Sequence, residues 1–119
     1  MNFRIKLGNK GEQIIAKFLE KNNFEILQQN YKSKFGEIDL IAQKDNLIAF
    51  VEVKTRKKAY FPISNVVTIS KQKKISKTAN LFISKNKIYN KICRFDVATV
   101  ISDNNEYKIN YIKNAFYSC

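Results

Sequence analysis

Histidine is absent from all 119 residues of this chain, and no other feature of the composition removes as much chemistry. Ser-His and Cys-His nucleophilic catalysis, imidazole general bases and histidine-ligated metals are all excluded. Hydrolysis here would have to use carboxylates, lysine, hydroxyls or a metal on oxygen ligands. Cysteine is scarce too, with only Cys93, inside an expected strand, and Cys119, the last residue. Neither number nor spacing suits a disulfide framework or a zinc site, so one buried and one exposed thiol are expected. No apolar run approaches the length of a membrane span, and the opening MNFRIKLGNKGEQ lacks the apolar stretch of a signal peptide. A cytoplasmic protein with no membrane association is the expectation.

Negative charge is missing from the middle of the chain. Residues 1 to 52 carry eight Lys or Arg against seven acids, residues 53 to 95 carry twelve against none, and residues 96 to 119 carry two against three. The whole net charge of +12 therefore comes from one stretch. Such a concentration points to a polyanionic partner, nucleic acid above all, with a merely solvated lysine face as the plainer reading.

A length of 119 residues suits one domain spanning 1–119, with a core that needs no metal or disulfide staple. Asn9 is placed to cap a first helix over about 9–22, on which Ile14, Ile15, Phe18 and Leu19 form an apolar face. Glu12 has two readings there: capping-box partner, or carboxylate aimed along the helix toward a sheet. Phe24–Tyr31 reads as a strand, and a hairpin follows. After it come a basic and aromatic loop with the single proline, Pro62, and a second helix capped by Ser70 with Ile75, Ala79, Phe82 and Ile83 buried. Strands at Cys93–Ile101 and Glu106–Asn114 complete the order α, β, β, β, α, β, β, which implies an α/β fold with a mixed five-stranded sheet flanked by helices.

The hairpin is the informative stretch. GEIDLIAQKDNLIAFVEVKTR, Gly36 to Arg56, alternates apolar and polar residues around a turn at Lys44-Asp45-Asn46. Alternation puts Glu37, Asp39 and Ile41 on one side and Ile38, Leu40 and Ala42 on the other, while Glu52 and Lys54 share a side opposite Val51 and Val53. Pairing about the turn brings Asp39 next to Glu52. Two carboxylates about 4 Å apart repel by about 4 kcal/mol at an effective dielectric near 20. Either Lys54 or a divalent cation has to compensate, and oxygen-only ligands favour Mg²⁺ or Mn²⁺ over Zn²⁺. Arg94 and Asp96, alternate residues of one strand, read as a structural ion pair.

Asp39 followed by Glu52-Val53-Lys54 resembles the PD-(D/E)XK nuclease motif, with Ile38 where a proline is usual. The match is closer to the YraN-like family of small bacterial proteins with a Holliday-junction-resolvase-like fold. It rests on Gly8, Gly11-Glu12, Ala16, Gly36-Glu37-Ile38-Asp39-Leu40-Ile41, Phe50-Val51-Glu52-Val53-Lys54-Thr55-Arg56, Lys74-Ile75, Ala79, Arg94-Phe95-Asp96-Val97 and Ile112-Lys113-Asn114-Ala115-Phe116. Tyr111 stands where a histidine is frequent. The resemblance implies a restriction-endonuclease-like core and a metal-centred site. Asp39, Glu52 and the Val53 carbonyl would ligate Mg²⁺ or Mn²⁺, Glu12 would complete the acidic cluster, and Lys54 would orient or activate the attacking water. Arg56, Lys57 and Lys58 would hold the nucleic-acid backbone, as would Lys71 and Lys74, with Gln72 contacting water or phosphate. The activity implied is hydrolysis of phosphodiester bonds in DNA, branched DNA included. Junction resolvases commonly act as dimers, so the resemblance points to a homodimer, although no dimer surface is legible. Two other readings stay open: a nucleic-acid-binding protein that keeps the fold without catalysis, and a protein-interaction module whose lysines confer solubility.

Overall fold

A computed structural model describes residues 10–57 and 67–117. Helix α1 is Lys10–Lys21, strands β1, β2 and β3 are Glu25–Lys32, Glu37–Lys44 and Leu47–Lys57, helix α2 is Ile69–Asn86, and strands β4 and β5 are Ile92–Asp103 and Glu106–Phe116. The five strands form one mixed sheet, as the sequence pattern implies, and lie in it in the order β1-β2-β3-β4-β5. Every neighbouring pair is antiparallel except β3 and β4, which run parallel. A parallel pair needs a crossover, and α2 lies within it.

The sheet is buried on both faces. Ile38, Ile41, Ile48, Phe50, Phe95 and Val97 pack under α2 through its Ile75, Ala79 and Phe82. Leu40, Ala42, Ala49, Val51, Ala98 and Val100 pack under α1 through Ile15, Ala16 and Leu19. β3 contributes to both layers with strict alternation, which explains its nearly continuous apolar run.

Four expectations need correction. The cap of α2 is Thr68, not Ser70: Thr68 is extended (φ −66°, ψ 160°) and its hydroxyl accepts from the Lys71 N–H at 3.2 Å. Ser70 falls inside the first turn, because the N-cap is set by which hydroxyl reaches the third helical N–H. Lys44 belongs to the strand, paired with Leu47, so only Asp45 and Asn46 make the turn. Ile38 does not share a side with Leu40 and Ala42: it enters the core under α2 with Ile41, whereas Leu40 and Ala42 pack under α1. Alternation slips at Asp39, which lies opposite Asn30 between the Gln29–Leu40 and Tyr31–Ile38 pairs, and Asn30 has a left-handed φ of 52°. Cys93 is exposed rather than buried, because the β4–β5 pairing begins only at Phe95 and leaves the start of β4 uncovered on that edge. Asn9, Gly8, Lys58, the aromatic loop with Pro62, and Cys119 lie outside the described residues.

A chain with three glycines uses asparagine for most left-handed backbone, at Asn23, Asn30, Asn104, Asn105 and Asn114. The Asn104-Asn105 pair, φ 48° and 68°, closes the β4–β5 hairpin between Asp103 and Glu106, as a two-residue turn of mirror-image type requires.

Gly11 is where α1 comes closest to the sheet. A Cβ there would collide with the Thr55 hydroxyl and touch Val53 at 3.6 Å. Gly11→Ala is therefore expected to lower stability by about 1–3 kcal/mol through overpacking, despite the better helix propensity of alanine. Thermal melts should show Gly11→Ala/Thr55→Ala recovering most of the loss. A double variant no more stable than Gly11→Ala would refute the contact as the cause.

Candidate functional site

The site is made where two strands part. The β2–β3 ladder runs from Lys44–Leu47 to Leu40–Val51 and stops one step before Asp39 and Glu52 would pair, although β3 continues along β4 as far as Lys57–Ser102. Beyond the split, the β2 side of β3 has no strand partner among the described residues, and a buried backbone N–H needs a hydrogen-bond acceptor. The Asp39 carboxylate supplies it: Oδ2 accepts from the Val53 N–H at 2.8 Å. The divergence opens a cavity of about 340 Å³ lined by Gly36, Glu37, Asp39, Glu52, Thr68, Lys71 and Lys74.

Alternation on β3 sends Glu52 and Lys54 to the α2 side, the side of Phe50, while Val53 packs toward α1. Glu52 is buried, with 6% of its side chain exposed, and pairs with Lys71 at 2.5 Å. That lysine, half-exposed in the first turn of α2, is held above its ordinary pKa chiefly by the bond to Glu52. Asp39 is mostly buried. Desolvation first, and the Glu52 carboxylate second, push its pKa from 3.8 up to about 8, even though the Val53 N–H pulls the other way. Lys54 moves in the opposite direction for the same first reason: burial, then the Lys71 ammonium, hold it below its ordinary value. An acid that resists ionising thus lies within electrostatic reach of a lysine that resists protonation, the pattern expected of groups that handle protons or charge.

Glu12 reaches the site from the other face. It stands in the first turn of α1, and its carboxyl lies alongside the side chains of Asn30 and Asp39. Of its two readings, the carboxylate directed at the sheet is the one observed. Burial raises its pKa, and Oε1 is buried without a hydrogen-bond partner. The slip of alternation at Asp39 lets one carboxylate meet Glu52 from the α2 side and Glu12 from the α1 side.

The donor set suits a hard divalent ion in one respect and not in another. Asp39 and Glu52 offer carboxylate oxygens, Asp39 is raised by burial and by the nearby Glu52 carboxylate, and a buried Glu12 oxygen lacks a partner. Mg²⁺ is commonly held by one or two carboxylates with water completing the shell. Among the described residues, however, no group of three or more acidic or cysteine side chains is close enough to form a metal cage. The fit is to a two-carboxylate centre with Glu12 beside it.

Several expected contacts fall elsewhere. The Gln72 amide is committed to the Val67 carbonyl at 2.9 Å and ties down the start of α2. Lys74 lines the cavity. Arg56 leans on its own strand, donating to the Thr55 carbonyl at 2.9 Å, and Lys57 is exposed at the strand end. Lys58 lies outside the described residues. The role of Lys71 as counter-charge to Glu52 was not legible, because nothing local in the helix sequence marks one lysine among several. Asp96 is fully buried and bonded to Arg94, Tyr111 and the Asn114 N–H on the α1 side of the sheet, a structural network as expected and no part of the site.

The profile of uncharacterised protein family UPF0102 matches residues 11–100. The chain is similar to the UPF0102 protein of Caldicellulosiruptor saccharolyticus, 44% identical over 119 residues, which cover 98% of this chain and 100% of that protein. It is similar to the UPF0102 protein of Alkaliphilus metalliredigens, 45% identical over 92% of this chain and 96% of that one. A UPF0102 protein of Clostridium botulinum is 46% identical, over 92% and 93% respectively. Among the described residues no helix is long and apolar enough to cross a membrane.

Proposed function

This chain belongs to uncharacterised protein family UPF0102, and from its site we propose that it is a metal-dependent endonuclease hydrolysing phosphodiester bonds in DNA. The observation that carries the reading is the convergence of Asp39, Glu52 and Lys54 at the strand split, next to Lys71 and Lys74 of α2. Asp39 and Glu52 would hold Mg²⁺ or Mn²⁺, with Glu12 beside them and the Val53 carbonyl within the same segment. A divalent ion there would supply Lewis-acid polarisation of the phosphoryl oxygen. Lys54 faces the same side, and its depressed pKa suits it to orient or deprotonate an attacking water and to offset charge on the phosphate. Lys74, Arg56 and Lys57 would position the backbone without reading sequence. The Lys71–Glu52 pair has to open, or move onto the phosphate, for Glu52 to serve as ligand.

That same pair supports a second reading. Lys71 already neutralises Glu52, so a fold that binds nucleic acid without cutting it is electrostatically complete as it stands. The readings separate on incubation with labelled junction, flap and duplex DNA in Mg²⁺ or Mn²⁺. Under the nuclease reading cleavage occurs, and Lys54→Ala reduces its rate by about 10²–10³-fold with little change in binding. Binding without cleavage of any substrate in either ion would establish the second reading.

A further inference from the structure

We propose that the β1–β2 turn forms, with the outer face of α2, a clamp for the phosphate backbone of the nucleic acid, in which Lys34 and Lys77 are the phosphate contacts and Phe35 holds them in place. The proposal rests on the nucleic-acid reading above and adds a second wall to its surface.

The Phe35 ring is shared by two cations. Lys34 Nζ and Lys77 Nζ each lie 5.3 Å from its centroid, one from the turn and one from α2. Each such contact is worth about 0.5–1 kcal/mol at an exposed site, enough to restrict a flexible lysine without removing it from water. Among the described residues neither ammonium is in an ion pair. Two like charges drawn to one ring repel each other, and an anion placed by both would relieve that repulsion.

The turn that carries Lys34 is rigid. The Ser33 N–H donates to the Gly36 carbonyl at 2.8 Å, and the Phe35 N–H donates to the Ser33 hydroxyl at 3.0 Å. The Ser33 hydroxyl is bonded to the Thr78 hydroxyl at 2.8 Å, and Thr78 in turn donates to the Lys74 carbonyl at 2.9 Å. At Gly36 the chain runs so near α2 that a Cβ would stand 3.3 Å from Lys74 Cβ. A surface turn bonded to a helix in this way fixes its cations relative to Asp39, three residues past Gly36 on the same strand.

A repeated anion is the ligand this layout fits. Lys71 and Lys74 line the carboxylate cavity, and Lys77 continues at the same three-residue spacing to Phe35. The steps advance about 4.5 Å each along the helix. A track of cations running away from a hydrolytic centre suits a polymer of phosphates better than a single small anion.

The test is fluorescence anisotropy with a labelled DNA duplex in EDTA, where no catalysis intervenes, with poly-glutamate as competitor. Lys34→Ala/Lys77→Ala is compared with Lys17→Ala/Lys21→Ala, which removes equal charge from exposed positions of α1 on the opposite face. Loss of two phosphate contacts should lower the slope of log Kobs against log salt by about 1.8 and weaken binding about tenfold near 50 mM salt, while the α1 variant keeps the wild-type slope. Equal losses in both variants, or an unchanged slope in the first, would overturn the clamp and leave nucleic-acid binding standing. Wild-type protein that ignores DNA, or is displaced from it by poly-glutamate at equal charge, would overturn both.

Discussion

Asp39→Asn is expected to stabilise the metal-free protein at and above neutral pH while abolishing divalent-dependent cleavage. The wild-type carboxyl is pushed from 3.8 up to about 8, by burial first and by Glu52 second. The sign follows from which state holds the proton. Below about pH 4 the group is protonated folded and unfolded, and it costs nothing. Between about 4 and 8 the unfolded chain has released the proton while the folded one keeps it, so stability falls as pH rises through that window. Above 8 the full penalty is present, up to on the order of 5 kcal/mol. Asparagine has no charge to desolvate, and its Oδ1 can still accept the Val53 N–H. Melting midpoints in EDTA should therefore fall with pH for the wild type and stay nearly flat for the variant. Added Mg²⁺ should raise the wild-type midpoint at pH 8 and leave the variant unmoved. An isosteric change that improves the fold and removes the activity identifies a position kept for chemistry. A variant less stable than wild type at pH 8 would refute the assignment of Asp39 as a strained carboxylate.

Asp96→Ala should have the opposite profile, a severe loss of stability with no specific loss of chemistry. Asp96 is 0% exposed, and its carboxylate is the acceptor for five hydrogen bonds, three of them from Arg94. Arg94 grips it with Nε and Nη2 at 2.8 and 2.9 Å, the Tyr111 hydroxyl donates at 2.6 Å, and the Asn114 N–H donates at 2.9 Å. The last of these secures the point where β5 slips register against β4, between Phe95 and Val97, with Asn114 left-handed at φ 56°. The same network holds the Tyr111 phenol far above its usual pKa, burial being the main cause and Asp96 the next. Truncation strands a guanidinium, a phenol and an amide at once. Breaking a buried pair from one side costs about 3–5 kcal/mol, a large part of the total stability of a domain this size. A fall of the melting midpoint by roughly 10–20 °C is expected. Asp96→Asn, which keeps the shape and one acceptor, should lie between. Denaturant titration placing Asp96→Ala within about 1 kcal/mol of wild type would contradict the hub role.

These two aspartates show how far a linear reading reaches. Both sit in alternating strands beside apolar residues, and in each case the neighbouring charges indicated the right class of partner. Arg94 two residues before Asp96 was visible as an ion pair because both project from one strand face. The Tyr111 hydroxyl was not, since its nearness depends on a bulge between β4 and β5. At Asp39 the approach of Glu52 was legible from the turn, and the approach of Glu12 was one of two readings its place on the first helix allowed, but the split of the strands and the slip opposite Asn30 were not.

What the residues settled by themselves was the order of elements, the approach of Asp39 to Glu52 across the hairpin and the side of β3 that carries Glu52 and Lys54. Periodicity and turn position fix those, because they are properties of neighbours along the chain. Only the folded arrangement decided that β2 leaves β3 at Asp39, that Lys71 rather than Lys54 neutralises Glu52, and that two lysines meet over Phe35. Each of those joins segments far apart in sequence. Their geometry is set by how two helices press on opposite faces of one sheet, and no local pattern carries that information.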